Sequence, residues 1–555
     1  MRLSNGPAAS GASKHGDTGH PRPPTLQAVR PCGIQVGPIS SDRDFDLRCE
    51  RWLAVLLMLA VAWRLLRMLL NMPMWGDEAM LDLSLMNWRH WSDVFKPLTY
   101  TQVGPPLFLL AEWVLQHALG PSEFAVRLLP LAAGLAAVVL FWRWSRLLLP
   151  PFAALLAVGF FALGYYPMRH SVEMKPYSLD QFSALCLYYL GTRWMLQPQR
   201  TRYLLAAAIL MPLLFGWSYP VVFVAGGLGA AVGIELLTNR VAARRANWLA
   251  MVLCGAIAVA SFVAVLHITG AGQYHQTGPA MRAYWRGSFP PHQPLRFLAW
   301  LIQIHTGNMF AYPVGGKNGG STATLLVFLV GLAVVFRRRR RLLVLLLAPF
   351  ALTFIAALMQ RYPYGGSARV AQHLAPVICL LAGTGIAWLV ERLVHRPDHL
   401  RAAPWIAGGL LATVGMVGMV RDIVHPYKTP ADENARSIVA GLFKPGQPAD
   451  RIIVLQPKAQ TPVNFQLYLR WYGRGRVLWN GQADRAWTAA AARQLIVVNF
   501  DSHLARRGIL TGAKAASWQV TGWKQWEVQI GPRQGGPTFV QAIYLIRRPP
   551  PKSTP

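Results

Sequence analysis

The chain has 555 residues, 53% of them hydrophobic and 14% charged, where an ordinary soluble protein carries about 25% charged residues. Lysine and arginine number 55 against 23 acids, a formal net charge of +32. The apolar residues fall in blocks of about 17–25, the length of a bilayer-crossing helix, which excludes an ordinary soluble globular fold.

Residues 1–50 are rich in Gly, Pro, Ser and Arg and lack the composition of a core. A disordered cytoplasmic leader is expected there, too long and irregular for the start of a signal peptide. The first span is predicted over Trp52–Leu70. Further spans follow at Phe124–Trp142, Phe152–Tyr166, Ser178–Met195, Tyr203–Phe215, Val221–Leu237, Leu249–His267, Thr322–Phe336, Leu342–Met359, Leu374–Val394 and Pro404–Val420. That makes about eleven transmembrane helices. Pro106–Leu119 is apolar but short and holds Glu112 and His117, so it reads as interfacial or re-entrant.

Charge sets the topology. With a cytoplasmic N-terminus and eleven spans, Arg143/Arg146, Arg193/Arg200/Arg202, Arg240/Arg244/Arg245, Arg337–Arg341 and Arg392/Arg396/Arg401 share the inner face of the plasma membrane. Merging Tyr203–Phe215 with Val221–Leu237 would put the run of arginines on the wrong side, so both are kept. The outer loops are then 71–105, 168–177, a short turn near Trp217–Pro220, 268–321 and 360–373, and the chain from about Asp422 onward also lies outside.

After Val424 the apolar blocks shorten. Arg451–Leu455, Leu495–Asn499 and Phe539–Ile546 read as strands, Ala431–Leu442 and Arg485–Arg493 as helices. The expected fold is an all-α multi-spanning membrane domain over 51–424 with a small extracytoplasmic α/β domain over 425–555. That domain is basic, a character suited either to anionic lipid and polymer or to simple solvation. The five cysteines, Cys32, Cys49, Cys186, Cys254 and Cys379, show neither a disulfide framework nor metal-ligand spacing.

Acids are scarce, so their positions carry information. Asp77 and Glu78 stand side by side just beyond the first span. A carboxylate there suits a general base or a metal ligand; equally, Asp77 could cap the helix-like run that follows it. The loop Arg169–Tyr177 packs His170, Glu173, Lys175 and Tyr177 between two spans, where interfacial anchoring explains the cations and the tyrosine but not Glu173. In the late loop, Arg361, Tyr362 and Arg369 flank Gly365-Gly366. Arginine forks suit a phosphate and paired glycines let a ligand approach, although a plain turn has the same composition.

Taken in order, these pieces resemble the GT-C superfamily of polyprenyl-phosphate-sugar glycosyltransferases, in the branch of bacterial protein O-mannosyltransferases and the lipid A aminoarabinose transferase. The resemblance rests on Trp75-Gly76-Asp77-Glu78-Ala79, on Pro105-Pro106-Leu107 with Gly120-Pro121-Ser122-Glu123 and Arg127-Leu128, on Glu173-Met174-Lys175-Pro176-Tyr177, and on Tyr362-Pro363-Tyr364-Gly365-Gly366 with Arg369 and Pro376. It covers about Trp52 to Val394. Gly104 stands where the family often has His, and Lys175 where it has Arg. The Trp-Trp-Asp signature of oligosaccharyltransferases is absent, so N-glycosylation is not expected.

The resemblance implies inverting transfer of a sugar from a polyprenyl-phosphate donor to an extracytoplasmic acceptor. Asp77 would be the base, supported or replaced by Glu78, with Glu173 as a further acid of the site. Lys175, Arg369 and Arg361 would hold the phosphate; Tyr177, Tyr362 and His170 would complete the substrate site. Two or three acids leave a divalent metal optional, and neither a nucleotide nor a nucleic-acid partner is implied. Two rival readings are a polyprenyl-lipid or sugar flippase, which would place charges within spans and show internal repeats, and a membrane scaffold binding polymers through its basic end.

Overall fold

The computed structural model describes residues 43–315, 319–425, 435–437, 439–441, 443, 451–454, 463–473, 477–479, 494–499, 519–529 and 538–547. Its helices are α1 (Arg43–Leu69), α2 (Gly76–Leu85), α3 (Pro106–Leu119), α4 (Leu128–Leu148), α5 (Pro151–Ala162), α6 (Tyr165–His170), α7 (Tyr177–Leu196), α8 (Arg202–Trp217) and α9 (Val221–Thr238). They continue with α10 (Arg245–Val265), α11 (Ala271–Tyr284), α12 (Pro294–His305), α13 (Gly320–Arg338), α14 (Arg340–Leu358), α15 (Ala375–Leu393), α16 (Pro397–Val424) and α17 (Val463–Gly473).

Among the described residues, eight helices are long and apolar enough to cross a bilayer: α1, α4, α9, α10, α13, α14, α15 and α16. The other three expected spans fall on α5, α7 and α8. Of these, α5 and α8 are short, while α7 carries the polar pair Asp180-Gln181. Proline opens α3, α5 and α16, where its missing N–H costs nothing. The chain is thus a multi-pass membrane protein with an all-α core. Residues 43–50, assigned to the leader by composition, instead form the first two turns of α1, because Phe45, Cys49 and Leu53 make one buried face. Residues 1–42 and the expected helix over 485–493 lie outside the described residues.

Polar contacts sort the helix ends into two sets. Arg146 reaches Glu50 at 2.6 Å, Arg341 reaches Glu235 at 3.1 Å, and Arg48 donates to the Arg401 carbonyl at 3.2 Å. All of these belong to the end that charge assigns to one face. At the other end Arg67 and Trp63 of α1 both hold Asp422 of α16, at 2.6 and 2.8 Å. Since α1 meets α16 start to start and finish to finish, the two run parallel, as a first and an eleventh span must.

Helix α13 lies very close to α15. A Cβ on Gly385 would stand 1.9 Å from the Val327 carbonyl oxygen, and one on Gly331 1.9 Å from that of Leu381. Small residues let two backbones touch where lipid supplies no hydrophobic drive. Gly385→Val is therefore expected to cost at least about 3 kcal/mol, since backbone cannot yield as a side chain can. Gly229→Ala, which meets no atom within 4 Å, should be neutral. Yield and thermal midpoint in detergent check both.

The C-terminal strands β1 (Arg451–Val454), β2 (Val477–Trp479), β3 (Gln494–Asn499), β4 (Gln519–Gln529) and β5 (Thr538–Arg547) form one sheet of order β2-β1-β3-β5-β4. The β1 strand is parallel to β2 and β3, whereas β5 is antiparallel to β3 and β4. Three elements had no counterpart in the sequence reading: the short β2, the long β4, and α17, which is buried along nearly its whole length.

Candidate active site at one end of the helix bundle

The site is built on α2. Trp75 precedes the helix in an extended conformation, and its N–H donates to Glu78 Oε2 at 3.3 Å. Glu78 thus ties down the start of this helix, and Asp77, for which capping was one of the alternatives, lies inside its first turn. The Glu78 carboxylate also accepts from Arg127 Nη2 (3.0 Å) and Nε (3.2 Å) and from the Met174 N–H (2.8 Å), and Glu78 is 1% exposed. Four donors on two buried oxygens fit an anchor joining three segments. They do not fit a group that must accept a proton from substrate, so the idea that Glu78 could replace Asp77 conflicts with its surroundings.

Asp77, one position earlier, points elsewhere. Its side chain is 29% exposed and its Oδ2 accepts from Arg369 Nη1 at 2.6 Å. Arg369 comes from the short turn Ala368–Ala371, which follows Gly365 and Gly366 in left-handed conformations (φ 61° and 70°) that favour glycine. The second arm of its guanidinium donates to Tyr284 Oη at 2.6 Å. The rings of Trp285 (4.8 Å), Tyr284 (5.6 Å) and Trp75 (5.9 Å) surround it. Burial opposes the charge on Arg369, but nearby Tyr177 and Asp77 outweigh it and raise its affinity for the proton.

Lys175 lies in the same electrostatic neighbourhood. Its Nζ donates to Gln102 Oε1 at 2.6 Å. Its pKa falls to about 8, chiefly through burial and with a contribution from Arg369, against the pull of Asp77, Glu78 and Glu173 in the other direction. A proton held this loosely gives a prediction. If Lys175 must be charged, kcat/KM should fall as pH rises through about 8, and Lys175→Arg should move that limb well above pH 9. A pH–rate profile of both forms checks this.

Glu173 is 1% exposed and shared between Arg169 Nε and His170 Nδ1, each at 2.9 Å. The His170 ring lies between Tyr166 and Tyr177, with Tyr177 edge-on at 4.8 Å. This knot braces the wall beside Asp77, because Arg169 lies 5.9 Å from the same Trp75 ring that Arg369 faces. Arg361, expected at the phosphate, and Tyr362, expected to complete the substrate site, both have other partners. Arg361 stacks on Tyr274 at 4.8 Å, and Tyr362 donates its hydroxyl to the Val370 carbonyl at 3.0 Å, fastening the turn that carries Arg369.

The sequence reading missed Gln102, Tyr284 and Trp285 as site residues. The Tyr-Trp pair between Arg282 and Arg286 was a usable signal, an aromatic cluster among cations in an otherwise featureless loop. It also missed Asp180, a buried carboxylate of α7 that accepts from Ser218 Oγ at 2.7 Å. Among the described residues no group of three or more His, Cys, Asp or Glu side chains could hold a metal ion. Asp77, which the sequence offered as a metal ligand, is instead paired with Arg369. A separate apolar cavity of about 250 Å³ lies beside α5, α13 and α15, and none of the expected site residues lines it.

The described residues thus form a multi-pass membrane protein with an acid–arginine cluster at one end of its helix bundle. Its fold matches the solved structure of ArnT from Cupriavidus metallidurans bound to undecaprenyl phosphate, with a TM-score of 0.50 and 15% identity over 88% of this chain and 97% of that one. The same protein in the apo state gives 0.50 and 13% over 89% and 98%. The archaeal oligosaccharyltransferase AglB from Archaeoglobus fulgidus, in complex with an inhibitory peptide and a dolichol-phosphate, gives 0.43 and 12% over 81% and 69%. No family model matches the sequence, and no curated protein matches it.

Proposed function

We propose that this chain is a membrane glycosyltransferase that moves a sugar from a polyprenyl-phosphate donor to a hydroxyl-bearing acceptor. The observation that carries the reading is the Asp77–Arg369 pair, with Lys175 held near it. The fold shared with a protein solved with undecaprenyl phosphate supports the choice of donor.

In the resting site Arg369 neutralises Asp77. An incoming donor phosphate offers the guanidinium a second anion, and a planar fork can hold two acceptors at once. Asp77 then has an oxygen available for the acceptor. The acceptor oxygen attacks the anomeric carbon while its proton passes to Asp77. The bond from that carbon to the phosphate oxygen breaks, and the polyprenyl phosphate leaves with the electron pair. Arg369 and Lys175 stabilise the charge that grows on the phosphate in the transition state. Attack opposite the leaving group inverts the anomeric centre.

The test is to incubate purified protein with cell-envelope fractions and a panel of polyprenyl-phosphate sugars, following donor loss and glycosylated product by mass spectrometry. Consumption of one donor with appearance of free polyprenyl phosphate is expected. Donor that crosses liposomes without being consumed would replace this reading with the flippase.

A further inference from the structure

The peptide leading into α2 is gripped by side chains along its length. Successive carbonyls from Asn71 to Met74 each accept from one. Arg436 donates to Asn71, Arg127 to Met72 (2.5 Å) and Pro73 (3.3 Å), and Asn464 to Met74 (3.2 Å). The Met74 N–H, in turn, donates to Tyr468 Oη at 2.8 Å. The Tyr468 hydroxyl donates a hydrogen bond to Glu123 Oε1 at 3.0 Å, and Arg436 reaches the same oxygen at 3.4 Å.

Three of these four gripping residues, Arg436, Asn464 and Tyr468, come from beyond Val424. Asn464 and Tyr468 are four apart on α17, so they present one helical face to the segment. The apolar neighbours continue the contact: Phe465, Leu469 and Trp471 pack in one cluster with Ala79, Leu83 and Leu85 of α2. At the far end of α2, Arg470 donates to the Met86 carbonyl and Asn87 Oδ1, both at 2.6 Å. A segment whose successive carbonyls are all held has little freedom, and Asp77 stands three residues from Met74. Its approach to Arg369, 292 residues away in sequence, depends on where that backbone sits.

We infer that α17 is a positioning element of the site: through Asn464 and Tyr468 it fixes the backbone before α2 and thereby sets Asp77 against Arg369. The inference rests on the proposed transfer reaction for its kinetic consequence but not for its structural one. The C-terminal region is then part of the site's framework rather than an appended binding module.

Tyr468→Phe removes one oxygen and keeps the ring; Asn464→Ala is a second route should the first fold poorly. Hydrogen–deuterium exchange over residues 72–79 is measured first, because it needs no substrate. Both variants are expected to exchange at the Met74 amide region at least tenfold faster than wild type. With a turned-over donor, kcat should fall about tenfold or more while donor KM holds within twofold, the pattern of a displaced reacting group. Arg470→Gln loosens the other end of α2 and should leave kcat within threefold. Unchanged exchange in both variants overturns the inference, as does an equal loss of kcat in Arg470→Gln, which would reduce the effect to general docking. If wild type consumes no donor, the transfer reading fails and exchange alone decides the grip.

Discussion

Asp77→Asn is expected to lower kcat by about 10²–10⁴ with little change in donor KM, the usual range for loss of a general base. The geometry makes this a clean test. The Asp77 side chain is partly exposed and its recorded polar partner is Arg369, so an amide of the same shape should leave the fold intact. Its oxygen still accepts from Arg369, but the amide cannot take a proton. The neighbouring Glu78→Gln should behave in the opposite way. It leaves Arg127 buried without its counter-charge, which typically costs about 3–5 kcal/mol, so folded yield should fall before chemistry can be read. Thermal midpoints beside donor consumption separate the two. Asp77→Asn retaining activity within a few-fold would remove Asp77 from the mechanism.

Why two adjacent acids take such different places shows what the sequence could and could not reveal. Neighbouring helical residues point about 100° apart, and nothing in Trp75-Gly76-Asp77-Glu78 says which of them faces the bundle. What decides it is Arg127, itself part of a short run that sequence had singled out for another reason. The spans were legible because the bilayer imposes a length and an apolarity that each segment must satisfy alone. For the same reason ten of the eleven expected spans fall mainly on one helix each, whereas Phe152–Tyr166 runs past the end of α5 at Ala162 into α6. The loop carrying Tyr284 and Trp285 had no such local constraint. It folds back over Arg369 through contacts of long sequence separation, which periodicity cannot register. Helix α17 escaped for a third reason: it is only about three turns long, and its burial comes from partners such as Ala79 and Leu83 almost four hundred residues away, which local pattern does not register.

Arg369→Ala is expected to cost about 10²–10³ in kcat/KM, or about 2.7–4 kcal/mol, as when a charge stabiliser is removed from a transition state. Arg369→Lys should recover only a small part of that. A lysine keeps one charge but cannot hold Asp77 and Tyr284, or Asp77 and a phosphate, with two arms in one plane. It also forfeits most of the stacking against Trp285, because an ammonium is a point charge where guanidinium is a flat one. The pair supplies a sharper criterion than either single change. If Arg369 serves both to restrain Asp77 and to receive the phosphate, the two residues act within one step. Asp77→Asn and Arg369→Ala combined should then lose much less than the product of their separate losses. Fully multiplicative losses would mean that the two act independently, and the ion pair seen between them would be a resting-state contact with no part in the chemistry.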